Sequence, residues 1–134
     1  MPAIRIRDAA ALLGVSDDTV RRWTDSGALA SHKDDSGRKV IAGDVLAAFV
    51  RDQASPPADP TGASSSARNR LVGLVTKVTA DRVMCEVEMQ CGPFTVVSLM
   101  STTSAEQLGL EPGALAVAVV KATNVIVETP GGMS

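Results

Sequence analysis

The chain has 134 residues, 45% of them hydrophobic but only 2% aromatic, so its cores must be built from Val, Leu, Ile, Ala and Met. That length suits one ordinary domain or two small ones. No apolar run approaches the roughly 18 residues of a membrane span. MPAIRIRDAA lacks the apolar stretch of a secretory signal, and two cysteines are too few for a disulfide scaffold. The expectation is a cytoplasmic protein that meets no membrane. With a net charge of −2, nucleic-acid binding cannot be argued from bulk basicity. Position matters more, because Arg21-Arg22 and the group Lys33, Arg38 and Lys39 concentrate positive charge in two places.

In chain order, Ile4 and Ile6 alternate with Arg5 and Arg7 as a short extended entry. Asp8 suits the cap of a helix over Ala9–Leu13, which Gly14 stops. Ser16 suits the cap of a second helix running to about Ser26, with Asp17 and Asp18 at the positive end of its dipole and Gly27 as its stop. Two short helices joined by a tight Gly-containing turn make a helix-turn-helix. At about 100° per residue, Val20 and Trp23 share the core stripe, and Asp18, Arg21, Arg22 and Asp25 lie opposite. An exposed Arg pair on the second helix is where a recognition helix meets DNA. The simpler alternative is that both arginines pair with neighbouring aspartates at helical spacing.

The segment Leu29–Ile41 has a turn at Asp34-Asp35-Ser36-Gly37 between two pairing segments and reads as a hairpin carrying Lys33, Arg38 and Lys39. Asp44–Arg51 then sets Val45, Leu46, Phe49 and Val50 on one helical face. Helix, turn, helix, hairpin, helix is the layout of a winged helix-turn-helix. The residues Ile6-Arg7-Asp8-Ala9-Ala10, Gly14-Val15-Ser16, Thr19-Val20-Arg21-Arg22-Trp23 and Asp25-Ser26-Gly27-Ala28-Leu29 resemble the MerR/excisionase-type DNA-binding domain over about residues 4–50. The resemblance implies that Ser16, Thr19, Arg21, Arg22 and Trp23 lie at or under a surface that meets double-stranded DNA. It also assigns Lys33, Arg38 and Lys39 to the wing. Asp34-Asp35 makes this wing less basic than in many relatives, and the MerR dimerisation coiled coil is absent.

Residues 53–65, QASPPADPTGASS, contain three prolines and almost no large apolar side chain. Such a composition cannot bury a core and reads as a flexible linker. Beyond it the apolar spacing alternates. Strands are expected over Leu71–Thr79, Val83–Met89, Phe94–Met100, Ala114–Lys121 and Val125–Glu128, with Val83, Cys85, Val87 and Met89 inward. Thr103-Ser104-Ala105-Glu106 fits a capping box for one short helix stopped at Gly109. Five short strands with one helical turn suggest an OB-like barrel.

Ser66-Ala67-Arg68-Asn69 opens this region and Lys121-Ala122-Thr123-Asn124 falls before its last strand. Each joins one cation to hydroxyls where backbone N–H groups need not all be in a ladder, and a tetrahedral oxyanion wants such a set. Together with Leu108-Gly109-Leu110-Glu111-Pro112-Gly113, these segments resemble the molbindin (Mop, TOBE-type) domain across about residues 64–129. The resemblance implies that molybdate or tungstate is bound between subunits. The ligand groups it implies are Ser66, Ala67, Arg68, Lys121, Ala122 and Thr123, with Ser101 where the family commonly has Thr.

The fold class expected is therefore α+β, an N-terminal winged helix-turn-helix (1–52) and a five-stranded OB-like β-barrel of molbindin type (66–130) on either side of the linker. His32 is the single histidine and lies in the expected wing, in the other domain from both cysteines, so no Ser-His-Asp or Cys-His set is expected, and no direct protein-ligated metal cation or catalytic residue either. Cys85 reads as a core thiol, and a redox pair with Cys91 is left open. The function expected is a molybdate- or tungstate-responsive DNA-binding transcriptional regulator, a homo-oligomer (dimer or trimer of dimers) through its C-terminal domain. The alternatives are an intracellular molybdate storage or buffering protein with an accessory DNA-binding domain, and an architectural DNA binder that the second domain merely oligomerises.

Overall fold

A computed structural model describes residues 2–130 of the chain. The chain divides into two compact units, Met1–Ser55 and Pro56–Ser134.

The first unit contains β1 (Ala3–Arg5), α1 (Ile6–Leu13), α2 (Asp17–Asp25), β2 (His32–Lys33), β3 (Lys39–Ala42) and α3 (Gly43–Gln53). The first helix begins three residues earlier than the cap at Asp8 predicts. Ile6, Ala9 and Ala10 are buried together and Leu13 packs against them, so the apolar face starts at Ile6, and Asp8 lies within the first turn. Gly14 ends the helix at φ 68°, a left-handed conformation that glycine adopts without steric cost. α2 follows its sequence signals closely. The Ser16 hydroxyl accepts from the Thr19 N–H at 3.1 Å, and Ser26 closes the last turn.

The strands of this unit are ordered β1-β3-β2, all antiparallel, so the extended entry becomes an edge strand beside the wing. Val20, Leu29, Ile41 and Leu46 join the α1 face in one core, and Trp23 stacks at a tilt on Phe49 with ring centroids 5.0 Å apart. Two of the three aromatic residues thus meet where α2 packs on α3, and Trp23 supports the second helix from beneath.

The second unit contains β4 (Asn69–Ala80), β5 (Met84–Cys91), β6 (Phe94–Ser101), α4 (Thr102–Gln107) and β7 (Leu115–Val120). These strands form a curled antiparallel half-barrel in the order β6-β5-β4-β7. On β5 the burial alternates so that Cys85, Val87, Met89 and Cys91 face inward. Val83 departs from the expected pattern. It precedes the strand and is exposed, because the Asp81 carboxylate accepts from the Val83 and Met84 N–H groups at 2.8 Å each and holds a turn there. Ser101, not Thr103, caps α4, accepting from the Ser104 N–H at 3.1 Å.

The expected five-stranded barrel is corrected to four strands. After β7 the chain makes a short 3-10 turn over Ala122–Asn124, and Val125–Glu128 has no strand partner among the described residues. Val125, Ile126 and Val127 are exposed, Ile126 to 86%. The half-barrel keeps an apolar concavity of about 450 Å³ lined by Val75, Val87, Met89, Val96, Met100 and Leu110 among others. The redox pairing of Cys85 with Cys91 is also excluded. Both are free and buried, six residues apart on one face of β5, which at about 3.4 Å per residue puts them far beyond disulfide reach.

Gly73 on β4 is buried against β5. A Cβ there would collide with the Gln90 carbonyl oxygen and lie 2.8 Å from the Cys91 Sγ. Overpacking of this kind costs about 1–3 kcal/mol. Gly73→Ala is therefore expected to lower the urea midpoint of the C-terminal unit, and an unchanged midpoint would contradict the packing described.

Candidate functional site

Two chain segments far apart in sequence meet at one end of the half-barrel. β4 and β7 pair so that Asn69 lies opposite Val120, and the Asn69 side-chain amide donates to the Val120 carbonyl at 3.1 Å. Ser66, Ala67 and Arg68 immediately precede this pair, and Lys121, Ala122 and Thr123 immediately follow it. Neighbouring strands lie about 5 Å apart, so the two segments emerge side by side. Arg68 and Lys121 are exposed, and neither is in an ion pair among the described residues. Ala122 and Thr123 lie in the 3-10 turn, where the chain has left the ladder. One end of the sheet thus collects two uncommitted cations with hydroxyls and backbone N–H groups.

Ser101 is not brought to this place within one chain. It pairs with Met84 on the other edge of the sheet, beyond the end of β4 that lies opposite Asn69. Its hydroxyl is engaged with α4, donating to the Ser104 hydroxyl at 2.8 Å.

A nearby arginine is already committed. The Arg70 guanidinium donates through Nε to Asp59 at 2.6 Å and through Nη2 to the Thr61 hydroxyl at 2.8 Å. The Asp59 carboxyl is held well below the usual carboxylate range, first by the Arg70 hydrogen bond and then by those from the Thr61 backbone N–H and hydroxyl. Composition alone missed this contact, since Asp59 and Thr61 sit in the Pro-rich stretch and nothing in their spacing points to Arg70.

In the N-terminal unit, Ser16, Thr19 and Arg22 form a polar chain along the start of α2. The Ser16 and Thr19 hydroxyls are 2.9 Å apart, and Arg22 Nη2 donates to the Thr19 hydroxyl at 3.1 Å. Arg21 and Arg22 are both exposed. Arg21 also pairs with Asp18 at 3.4 Å, so the helical ion pairing weighed as an alternative holds for this residue. Trp23 is half-buried under the helix. In the wing, Lys33 and Lys39 are paired residues of β2 and β3. The Asp34 carboxylate accepts from the Ser36 and Arg38 N–H groups at 2.9 Å each and lies 3.6 Å from Arg38 Nε. Asp34, one of the two acidic residues at the wing tip, is therefore consumed in building its turn. Lys39 reaches across to Asp25 on α2 at 3.2 Å. His32 is exposed opposite Val40. Among the described residues no group of three or more His, Cys, Asp or Glu could hold a metal ion, and no helix is long and apolar enough to cross a membrane.

Residues 65–127 match the TOBE domain family, and three curated relatives align with the chain over 65 residues, 96% of their own length. The chain belongs to the TOBE family. Molybdenum-pterin-binding protein 2 of Clostridium pasteurianum is 40% identical over 65 residues, covering 48% of this chain and 96% of the relative. Molybdenum-pterin-binding protein 1 of the same organism is 37% identical over the same shares. Among solved structures, the cytoplasmic molybdate-binding protein ModG with molybdate bound is 38% identical with a TM-score of 0.50, over 54% of this chain and 52% of that one. The curated relatives cover only about half of this chain. Residues 4–54 match a helix-turn-helix domain family. Both matched domains are of binding types, not catalytic ones.

The Asp59 contact has a pH signature. Its native carboxyl titrates below the unfolded value of about 3.9, so the contact contributes fully above that value and is lost as pH falls through the native one. Arg70→Ala removes the largest cause. The Asp59 carboxyl resonance, followed by NMR, is expected to titrate closer to the ordinary value in the variant than in the parent. Coincident curves would contradict the contact.

Proposed function

We propose that this chain is a molybdate- or tungstate-responsive DNA-binding transcriptional regulator whose C-terminal domains bind the oxyanion between subunits. The observation that carries the reading is the pairing of Asn69 with Val120, which sets the Arg68 and Lys121 segments side by side at the end of a TOBE half-barrel. A doubly charged tetrahedral anion is met there by two cations, the Ser66 and Thr123 hydroxyls, the Ala122 amide and the Ala67 N–H, which exchanges its 3.1 Å bond to the Ser65 hydroxyl for the ligand. Relatives over this half are named for molybdenum-pterin binding or were solved with molybdate bound.

Assembly of copies through the C-terminal domain, as a dimer or a trimer of dimers, fits three features of the chain. The concavity of the half-barrel is open, Val125–Val127 is apolar and without a strand partner among the described residues, and Ser101 is remote from the other ligand candidates. A second copy supplies the missing side of such a site. A ligand held between copies binds the assembled form better and so shifts the population toward it. Because each copy carries a helix-turn-helix unit, that shift changes how many recognition helices act together and which half-site spacing they engage.

Two measurements test this. Arg68→Ala and Lys121→Ala each remove one charge-assisted partner worth about 1.5–3 kcal/mol, roughly 10- to 150-fold in molybdate affinity. Calorimetric titration showing parental affinity in both variants would overturn the site. Gel-shift titration of the whole protein on DNA upstream of its own locus, with and without molybdate, is expected to give different affinities. Identical affinities combined with tight molybdate binding would replace regulation by storage.

A further inference from the structure

We infer that Arg5 and Arg7 clamp the phosphate backbone of double-stranded DNA in a groove beside the recognition helix. This rests on the DNA-binding reading of the N-terminal unit and adds two residues that the helix-turn-helix and wing assignments leave out. A groove of about 500 Å³ is lined by Arg5, Arg7, Asp17, Arg21, Arg38 and Lys39, five cations against one carboxylate.

The local chain course explains why they gather. β1 pairs with β3, setting Arg5 opposite Val40, next in sequence to Arg38 and Lys39. The chain then turns directly into α1, burying Ile6 and leaving Arg7 exposed in the first turn. Asp17 and Arg21, one turn apart on α2, form the facing side.

The five cations are not equivalent. Arg21 is paired with Asp18 at 3.4 Å, Arg38 with Asp34 at 3.6 Å and Lys39 with Asp25 at 3.2 Å. Among the described residues neither Arg5 nor Arg7 is in an ion pair. A paired cation must exchange its own carboxylate for a phosphate, which cancels much of the gain. An uncommitted guanidinium meets a phosphate with its full charge and two parallel N–H donors. Two such groups beside the exposed face of α2 are placed to fix the helix against the duplex without reading sequence.

Phosphate contacts announce themselves in salt dependence, each adding about 0.9 to the slope of log affinity against log salt. The experiment is fluorescence anisotropy of the full-length protein on mixed-sequence double-stranded DNA across a salt series. The proteins compared are the parent, Arg7→Ala, Arg5→Ala/Arg7→Ala and Arg5→Lys/Arg7→Lys, with Arg82→Ala as a control that removes one charge from the other unit. The slope should fall by about 0.9 for Arg7→Ala and by about 1.8 for the double alanine variant, so that raising salt from about 50 to about 200 mM costs the double variant roughly tenfold less affinity than it costs the parent. The double lysine variant and Arg82→Ala should keep the parental slope. Arg7 is exposed, so its single variant reports even where loss of the half-buried Arg5 disturbs the fold. A parental slope in Arg7→Ala overturns the clamp while leaving DNA binding intact. A parent that binds no duplex overturns the DNA-binding reading and the clamp together.

Discussion

The register that sets Asn69 against Val120 is the constraint on which the proposed oxyanion site of the C-terminal unit depends. Six consecutive residues of each strand are paired, from Asn69 with Val120 to Leu74 with Leu115, closing a loop of some forty residues between them. Hydrogen bonds beyond the ladder hold it at both ends: Asn69 to the Val120 carbonyl, and the Gly113 N–H to the Val75 carbonyl at 2.8 Å. A slip of one residue would turn every side chain of one strand to the opposite face. It would also move the Lys121 turn out of step with the Arg68 segment. Packing constrains the other side of β4, because it can approach β5 at Gly73 only where a side chain is missing.

The N-terminal unit solves a different problem, that of building a core from about fifty residues with two aromatic rings. It stacks both rings, Trp23 on Phe49, and recruits the N-terminal strand to widen a wing that would otherwise be a bare hairpin. Aliphatic residues do the rest, with Ala9 and Ala10 allowing close approach of the helix carrying them. α2 buries only Val20 completely, so most of its surface stays available to solvent.

Much of this was legible in the sequence where one local rule governs. Ser16 as cap, Gly14 and Gly27 as stops, the alternation from Cys85 to Met89 and the hairpin turn at Asp34 all follow from spacing and side-chain chemistry within a few residues. Where two rules compete, reading falters. Asp8 has the chemistry of a cap, but burial of Ile6 draws the helix start past it. Ser101 takes the capping role suggested for Thr103, because β6 runs straight into the helix. Val125–Glu128 has every local property of a strand, yet a strand is defined by its partner, and periodicity says nothing of one. The Asp59–Arg70 pair was illegible for the converse reason, being a long-range contact from a stretch whose composition predicts none. The candidate oxyanion segments could be picked out as cation–hydroxyl tetrapeptides, but only the β4–β7 register makes them neighbours.

The wing turn has a thermodynamic consequence. Its tip is closed by two hydrogen bonds from backbone N–H groups to the Asp34 carboxylate and a third between the Asp34 N–H and the Arg38 carbonyl at 2.8 Å, with Gly37 supplying the left-handed residue. A loop that must be ordered when a partner arrives gives back about 0.5–1.5 kcal/mol of the contact energy for each side chain it immobilises. Here the ordering happens during folding, and the wing meets any partner already in shape. A carboxylate that looks misplaced on a basic hairpin thus lowers the entropic cost of using the hairpin at all.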